Sequence, residues 1–184
     1  LTLCNFTAEK PVILAVGGSS GSKVLNNALR AVLPKLLKNY QVIHLCGKGN
    51  LDASLGSTTG YAQFEYAKSE LRDMFALADI VISRAGANSI CELLALRKPN
   101  ILIPLSANAS RGDQILNARS FEKQGFSYVL EEENLTSDTL LDAIKQVETN
   151  KQVYIDAMAK SKQLDSIDTV IGLINEAAAS KSKK

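Results

Sequence analysis

Four largely apolar runs of strand length, three of them leading through a turn or loop into a helical pattern, constrain this chain more than any other feature. They are Pro11-Val12-Ile13-Leu14-Ala15-Val16, the stretch Tyr40 to Cys46, Asp79 to Ser83, and Asn100-Ile101-Leu102-Ile103-Pro104-Leu105. The first leads into Val24, Leu25, Ala28, Leu29, Val32, Leu33, Leu36 and Leu37, spaced by three and four like one buried helix face. Strands that are apolar throughout, instead of on alternate residues, are buried on both faces. Alternating with helices, they predict a doubly wound α/β fold, a Rossmann-like parallel sheet covered on both sides.

The remaining elements follow from the same periodicities. Tyr61 to Tyr66 alternates like a strand, and Ser127 to Leu130 is a last short one. Helices are expected over Leu71 to Ala78, over 88–97, through Ile115, Leu116, Ala118 and Phe121 to a stop at Gly125, and after a cap at Thr136-Ser137-Asp138. Further helical patterns cover 151–163 and 166–179. Pro34 falls inside the first helical pattern and predicts a kink or a new turn there. Residues 50–60 are polar and glycine-rich, a surface loop with room for a short helix.

Composition narrows the function classes. A net charge of +2 over 184 residues gives no basic field for nucleic acid, and the terminal Lys181 to Lys184 cluster reads as a frayed tail. Cys4, Cys46 and Cys91 are odd in number and lack C-x-x-C spacing, which argues against disulfide and zinc frameworks and fits a reducing, cytoplasmic setting. His44, the single histidine, lies inside an apolar run and reads as a satisfied core or edge residue before a catalytic base. No apolar run approaches membrane-span length.

Parallel sheets bind ligands at the carboxyl ends of their strands, near the switch in strand order. Three small-residue loops are placed at that edge: 17–22, 84–89 and 106–114. Gly17-Gly18-Ser19-Ser20-Gly21-Ser22 is either a plain tight turn or a phosphate cradle, and it fits neither G-x-G-x-x-G nor a Walker loop. In Ser83-Arg84-Ala85-Gly86-Ala87-Asn88-Ser89-Ile90-Cys91-Glu92 a strand delivers the chain to a helix start. There the amides of Ala87, Asn88 and Ser89 can hold an anion. Glu92 suits vicinal hydroxyls, or is an exposed carboxylate favoured by the helix dipole. Arg84 suits a phosphate, or a carboxylate of the fold. Asp113, Gln114 and Asn117 suit a hydroxyl-rich ligand, or form an N-cap with solvated neighbours.

Taken in order and spacing, Gly17-Gly18-Ser19-x-Gly21, Ser83-Arg84-Ala85-Gly86-Ala87-x-Ser89-x-x-Glu92 and Asp113-Gln114-x-x-Asn117-Ala118 resemble the C-terminal half of the MurG-like UDP-N-acetylglucosamine transferases. These are inverting glycosyltransferases of GT-B fold. The resemblance covers about residues 11–178. It implies a UDP-GlcNAc donor held without a metal or other cofactor. Ser19, with Gly18 and the rest of the glycine-rich loop, would lie at the diphosphate, and the amides of Ala87, Asn88 and Ser89 would hold the β-phosphate and support its leaving charge. Glu92 would take the ribose, and Asp113, Gln114 and Asn117 the GlcNAc hydroxyls. Ala67, Lys68 and Leu71 would lie at the uracil.

The resemblance further implies that the acceptor, the lipid-linked intermediate of peptidoglycan synthesis, is bound by an N-terminal domain. Residues 1–10 would be the linker from that domain, 11–163 the UDP-sugar domain, and 164–184 a C-terminal helix and tail. Leu1, which is not a Met, reads as a cut within a longer chain. No catalytic residue is expected in this piece. The whole protein would be peripheral on the inner face of the cell membrane. The alternative is the donor-binding subunit or domain of another GT-B transferase, Alg13-like or acting on glycolipid or exopolysaccharide, that works with a membrane-anchored partner.

Overall fold

The computed structural model describes residues 4, 6–18, 20–109 and 111–162. In chain order the strands are β1 (Val12–Val16), β2 (Gln41–Leu45), β3 (Tyr61–Phe64), β4 (Ile80–Ser83), β5 (Asn100–Leu102) and β6 (Tyr128–Val129). The helices are α1 (Lys23–Leu36), α2 (Leu71–Leu77), α3 (Ala87–Ala95), α4 (Asp113–Lys123), α5 (Ser137–Thr149) and α6 (Lys151–Ala159). All strand pairs are parallel, in the order β3-β2-β1-β4-β5-β6. This is the doubly wound architecture read from the apolar runs. The strand order reverses between β1 and β4, which are direct neighbours with Ile13 opposite Ile80 and Val16 opposite Ser83.

Successive strand side chains enter opposite faces. Ile13, Ala15, Val42, Ile80, Ile82 and Ile101 pack against α1 and α5, while Leu14, Ile43, Leu45, Val81 and Leu102 pack against α2, α3 and α4. Most strand positions are therefore apolar on both faces, which is why the runs are nearly continuous, with Gln41, His44, Ser83 and Asn100 as buried polar exceptions. On α1 the inner stripe is Leu25, Leu29, Val32, Leu33 and Leu36. Thr136 caps α5 through a reciprocal pair with Thr139, its hydroxyl accepting from the Thr139 N–H and its N–H donating to the Thr139 hydroxyl.

Three expectations change in detail. Helix α1 runs through Pro34 to Leu36. Pro34 lies in the last turn, where it removes one helical bond, and the Leu37 N–H to Leu33 carbonyl bond at 2.9 Å still closes the end. Strand β5 stops at Leu102, short of Leu105, because Pro104 cannot extend the ladder after the Ile103 N–H bond to the Ser83 carbonyl. Strand β3 ends at Phe64, two residues before Tyr66. The patterns read over 164–184, the end of the one over 151–163 included, lie outside the described residues.

One polar cluster is buried under α1. His44 is fully buried on β2, with Nε2 2.8 Å from Asn26 Oδ1 and Nδ1 2.8 Å from the Tyr61 hydroxyl. Asn26 Nδ2 donates to the Cys46 carbonyl at 2.9 Å, so its Oδ1 must face the histidine and accept. Nε2 then carries the proton and Nδ1 accepts from Tyr61. His44 is a satisfied core residue. Burial, helped by the nearby Arg30 guanidinium, pushes its pKa down to about 3.

The unfolded chain protonates this imidazole near the ordinary value of about 6.5. Between the two values the unfolded state binds more protons, so stability falls as pH drops below 6.5. By pH 5 the loss from this group is about 2 kcal/mol. Urea unfolding of wild type and His44→Gln at neutral pH and at pH 5 checks it: the wild type should lose about that much more than the variant. Equal losses would remove His44 from the acid sensitivity.

Candidate functional site

Because β1 sends its connection toward β2 and β4 sends its connection toward β5, the loops leaving these two strands diverge and open a cleft. Helices α1 and α3 start on opposite sides of it. The two starts differ. At α1 the Ser22 hydroxyl accepts from the Leu25 N–H at 3.2 Å. At α3 the N-cap is Gly86, which has no side chain, and the N–H groups of Ala87, Asn88 and Ser89 make no hydrogen bond among the described residues. Three unpaired amides at the positive end of a helix are chemically suited to an anion.

The glycines divide by what surrounds them. Gly18, at φ +87°, and Gly86 have open space where a Cβ would stand, so a ligand can approach their backbone closely. Gly21 and Gly47 are packed backbone to backbone, which locks the first loop against the turn after β2. The cleft encloses about 690 Å³ and is lined by Gly18, Arg84, Ala87, Asn88, Ser89 and Gln114, with Ser20, Lys23, Leu105 and Glu132 around them. That volume is within the usual range for small-molecule sites.

A polar frame under the cleft fixes the loops. Arg84 is buried and donates through Nη1 to the Ile103 carbonyl at 3.0 Å and through Nη2 to the Ser22 hydroxyl at 2.5 Å. Its Nη2 also lies 2.5 Å from a carboxylate oxygen of Glu132, in the 3₁₀ turn after β6. Gln114 Oε1 accepts from the N–H groups of Ala85 and Leu105, at 3.3 and 3.0 Å, and Asn117 Nδ2 donates to the Ala85 carbonyl at 3.0 Å. One arginine and two amides thus set the spacing of the loops after β1, β4, β5 and β6.

Residues 12–171 match the family model described as the glycosyltransferase family 28 C-terminal domain. The chain belongs to this family. It is 60% identical over 176 residues to the protein of Lachnospira eligens named UDP-N-acetylglucosamine–N-acetylmuramyl-(pentapeptide) pyrophosphoryl-undecaprenol N-acetylglucosamine transferase, covering 96% of this chain and 50% of that one. A protein of the same name from Lachnoclostridium phytofermentans is 62% identical over 176 residues, again 96% of this chain and 50% of that one. Among solved structures, MurG of Acinetobacter baumannii superposes with a TM-score of 0.71 at 25% identity, over 92% of this chain and 51% of that chain. The chain spans about half the length of the curated relatives it matches.

In this family 28 domain, Gly18, Arg84, Ala87, Asn88, Ser89 and Gln114 come together on one cleft, as their placement at one sheet edge predicts. Ser19 lies outside the described residues. Of the two partners open to Arg84 in the sequence, the one it has is the fold's own carboxylate, Glu132. Gln114 keeps its Nε2 without a partner among the described residues, whereas Asn117 is half-buried and bonded to the loop. Asp113 is exposed as the first residue of α4, after Gly112 in the left-handed conformation. Glu92 is exposed one turn beyond Asn88 and Ser89 on α3, off the cleft lining itself.

Ala67 and Lys68 line a second hollow of about 340 Å³ with Phe64, Tyr66 and Met74, beyond the carboxyl end of β3, and Leu71 packs into the adjoining core instead. Glu132 was not singled out in the sequence. It belongs to the acidic run Glu131-Glu132-Glu133, and the only signal was its position just after the last strand, at the ligand-binding edge of the sheet. Among the described residues no three His, Cys, Asp or Glu side chains form a metal-holding group, and no helix is long and apolar enough to cross a membrane.

Proposed function

We propose that this cleft binds UDP-GlcNAc as the donor half of a MurG-like transferase, which adds GlcNAc to the undecaprenyl-diphosphate-linked intermediate of peptidoglycan synthesis. The observation that carries this reading is the uncapped start of α3, with three unpaired amides facing the glycine-rich loop across the switch point. An acceptor hydroxyl attacks the anomeric carbon, and the bond to the β-phosphate oxygen breaks with its electron pair left on that oxygen. Fixed amides aimed at that oxygen need no reorganisation as the charge grows, and they stand in the place a metal ion would take.

The other roles follow the motif positions. Gly18 and Ser19 let the diphosphate approach the loop. Glu92 takes the ribose hydroxyls, Gln114 with Asp113 and Asn117 the sugar, and the hollow at Ala67 and Lys68, with Leu71 beneath, the uracil. Arg84 serves this site by holding the loops around it. The acceptor site and general base are assigned to the half of the relatives' length that this chain does not span, so the chain alone should bind donor without transferring the sugar. In the longer protein the partner is a lipid acceptor at the inner face of the membrane, and nucleic acid is not one.

Calorimetric titration of the chain with UDP and UDP-GlcNAc in magnesium-free buffer tests the reading. Heat is expected with both, and none with either would overturn it. Glu92→Ala should weaken UDP binding by about 1.5–3 kcal/mol, the usual contribution of hydrogen bonds to a charged group. An unchanged affinity would return Glu92 to the role of an exposed helix carboxylate.

A further inference from the structure

Resting on that reading, we propose that Glu132 sets the charge of the donor cleft and selects against the spent nucleotide. A diphosphate site without a metal would gain affinity from a free guanidinium. Arg84 is on the cleft wall, yet both of its Nη groups are taken by Ile103, Ser22 and Glu132, and its buried Nε has no hydrogen-bond partner among the described residues. Glu132 lines the same wall, its side chain 16% exposed. The pair adds no net charge to the cleft, and the guanidinium is held on the loops.

The consequence differs between substrate and product. Breaking the bond to the sugar leaves an extra negative charge on the terminal phosphate of free UDP, which the sugar ester lacks. Paired with Glu132, Arg84 exerts no net attraction on that extra charge, so the free diphosphate does not gain the affinity that an unpaired guanidinium would give it. The amides of α3 stabilise the leaving oxygen at short range, while Glu132 limits how tightly the finished product is retained. Glu132 is thus a specificity-determining residue for nucleoside diphosphate against nucleotide sugar, acting through Arg84 and through the field in the cleft.

Titration of UDP and UDP-GlcNAc into wild type, Glu132→Gln and the double variant Arg84→Gln/Glu132→Gln, at low and high ionic strength, tests this. Gln keeps an acceptor for Arg84 and removes only the charge. Glu132→Gln should bind UDP more tightly by on the order of tenfold, the effect of one unit charge across a solvent-lined cleft. UDP-GlcNAc should gain less, and both gains should shrink at high salt. The double variant, with the wild-type net charge restored, should return to near the wild-type ratio of the two affinities, even where loss of the Arg84 frame weakens both. Glu132→Met carries the same prediction if Glu132→Gln folds poorly, with its thermal melt separating folding from binding.

Unchanged or weaker UDP binding by the Glu132 single variants, or equal tightening of both ligands, overturns the inference while leaving the donor reading intact. A wild-type chain that binds neither ligand overturns both.

Discussion

Gly21→Ala should cost the chain about 3–5 kcal/mol of stability and abolish nucleotide binding, whereas Gly18→Ala, three residues earlier, should cost only about 1–2. Both glycines adopt positive φ, +73° and +87°, so both substitutions carry the left-handed strain. What separates them is space. A methyl on Gly21 would stand 2.1 Å from the Cys46 carbonyl oxygen and 3.0 Å from Asn50 Nδ2, and the carbonyl belongs to backbone that cannot swing aside. That carbonyl also receives Asn26 Nδ2, so moving it disturbs the pairing of His44 as well. A methyl on Gly18 meets nothing within 4 Å and would intrude only on a ligand. Urea unfolding and UDP titration of both variants check the contrast. Comparable stability losses for the two would show that the close approach of the first loop to the turn after β2 does not hold the loop.

The contrast also shows where the sequence was readable. Both glycines belong to one short motif, and nothing in its spelling separates the residue that faces open space in the cleft from the one that faces Cys46. The sheet was legible because burial on two faces leaves a continuous apolar run, a signal that each strand carries by itself. The start of α3 was legible for a similar reason: Ile80-Val81-Ile82 ends in small residues and a helical period follows. Glu132 was not, because its significance depends on Arg84, 48 positions away in the chain, and an acidic run after a strand looks the same whether solvated or paired. His44 shows the intermediate case. Its apolar neighbours showed that it was buried, but only the pairing of β2 with β3 and the packing of α1 reveal that Tyr61 and Asn26 fill both of its nitrogens.

Arg84→Met should destabilise the chain by about 3–5 kcal/mol, the cost of removing one member of a buried ion pair. The loss has identifiable parts. Glu132, 16% exposed, would keep its charge without its cation, and the Ile103 carbonyl and the Ser22 hydroxyl would lose their donor. Arg84→Lys should recover only part, because an ammonium keeps the charge but cannot reach Ile103, Ser22 and Glu132 together with the fork of a guanidinium. Replacing both partners by Met removes the uncompensated charge, so the double variant should be more stable than Arg84→Met alone despite the additional substitution. A double variant no more stable than the single one would mean that Arg84 acts through Ser22 and Ile103 and that Glu132 is incidental. Were Arg84 chiefly a phosphate ligand, the single variant would keep its stability and lose nucleotide affinity. The geometry predicts the reverse order of sensitivity: stability falls first, and binding follows because the starts of α1 and α3 lose their fixed spacing.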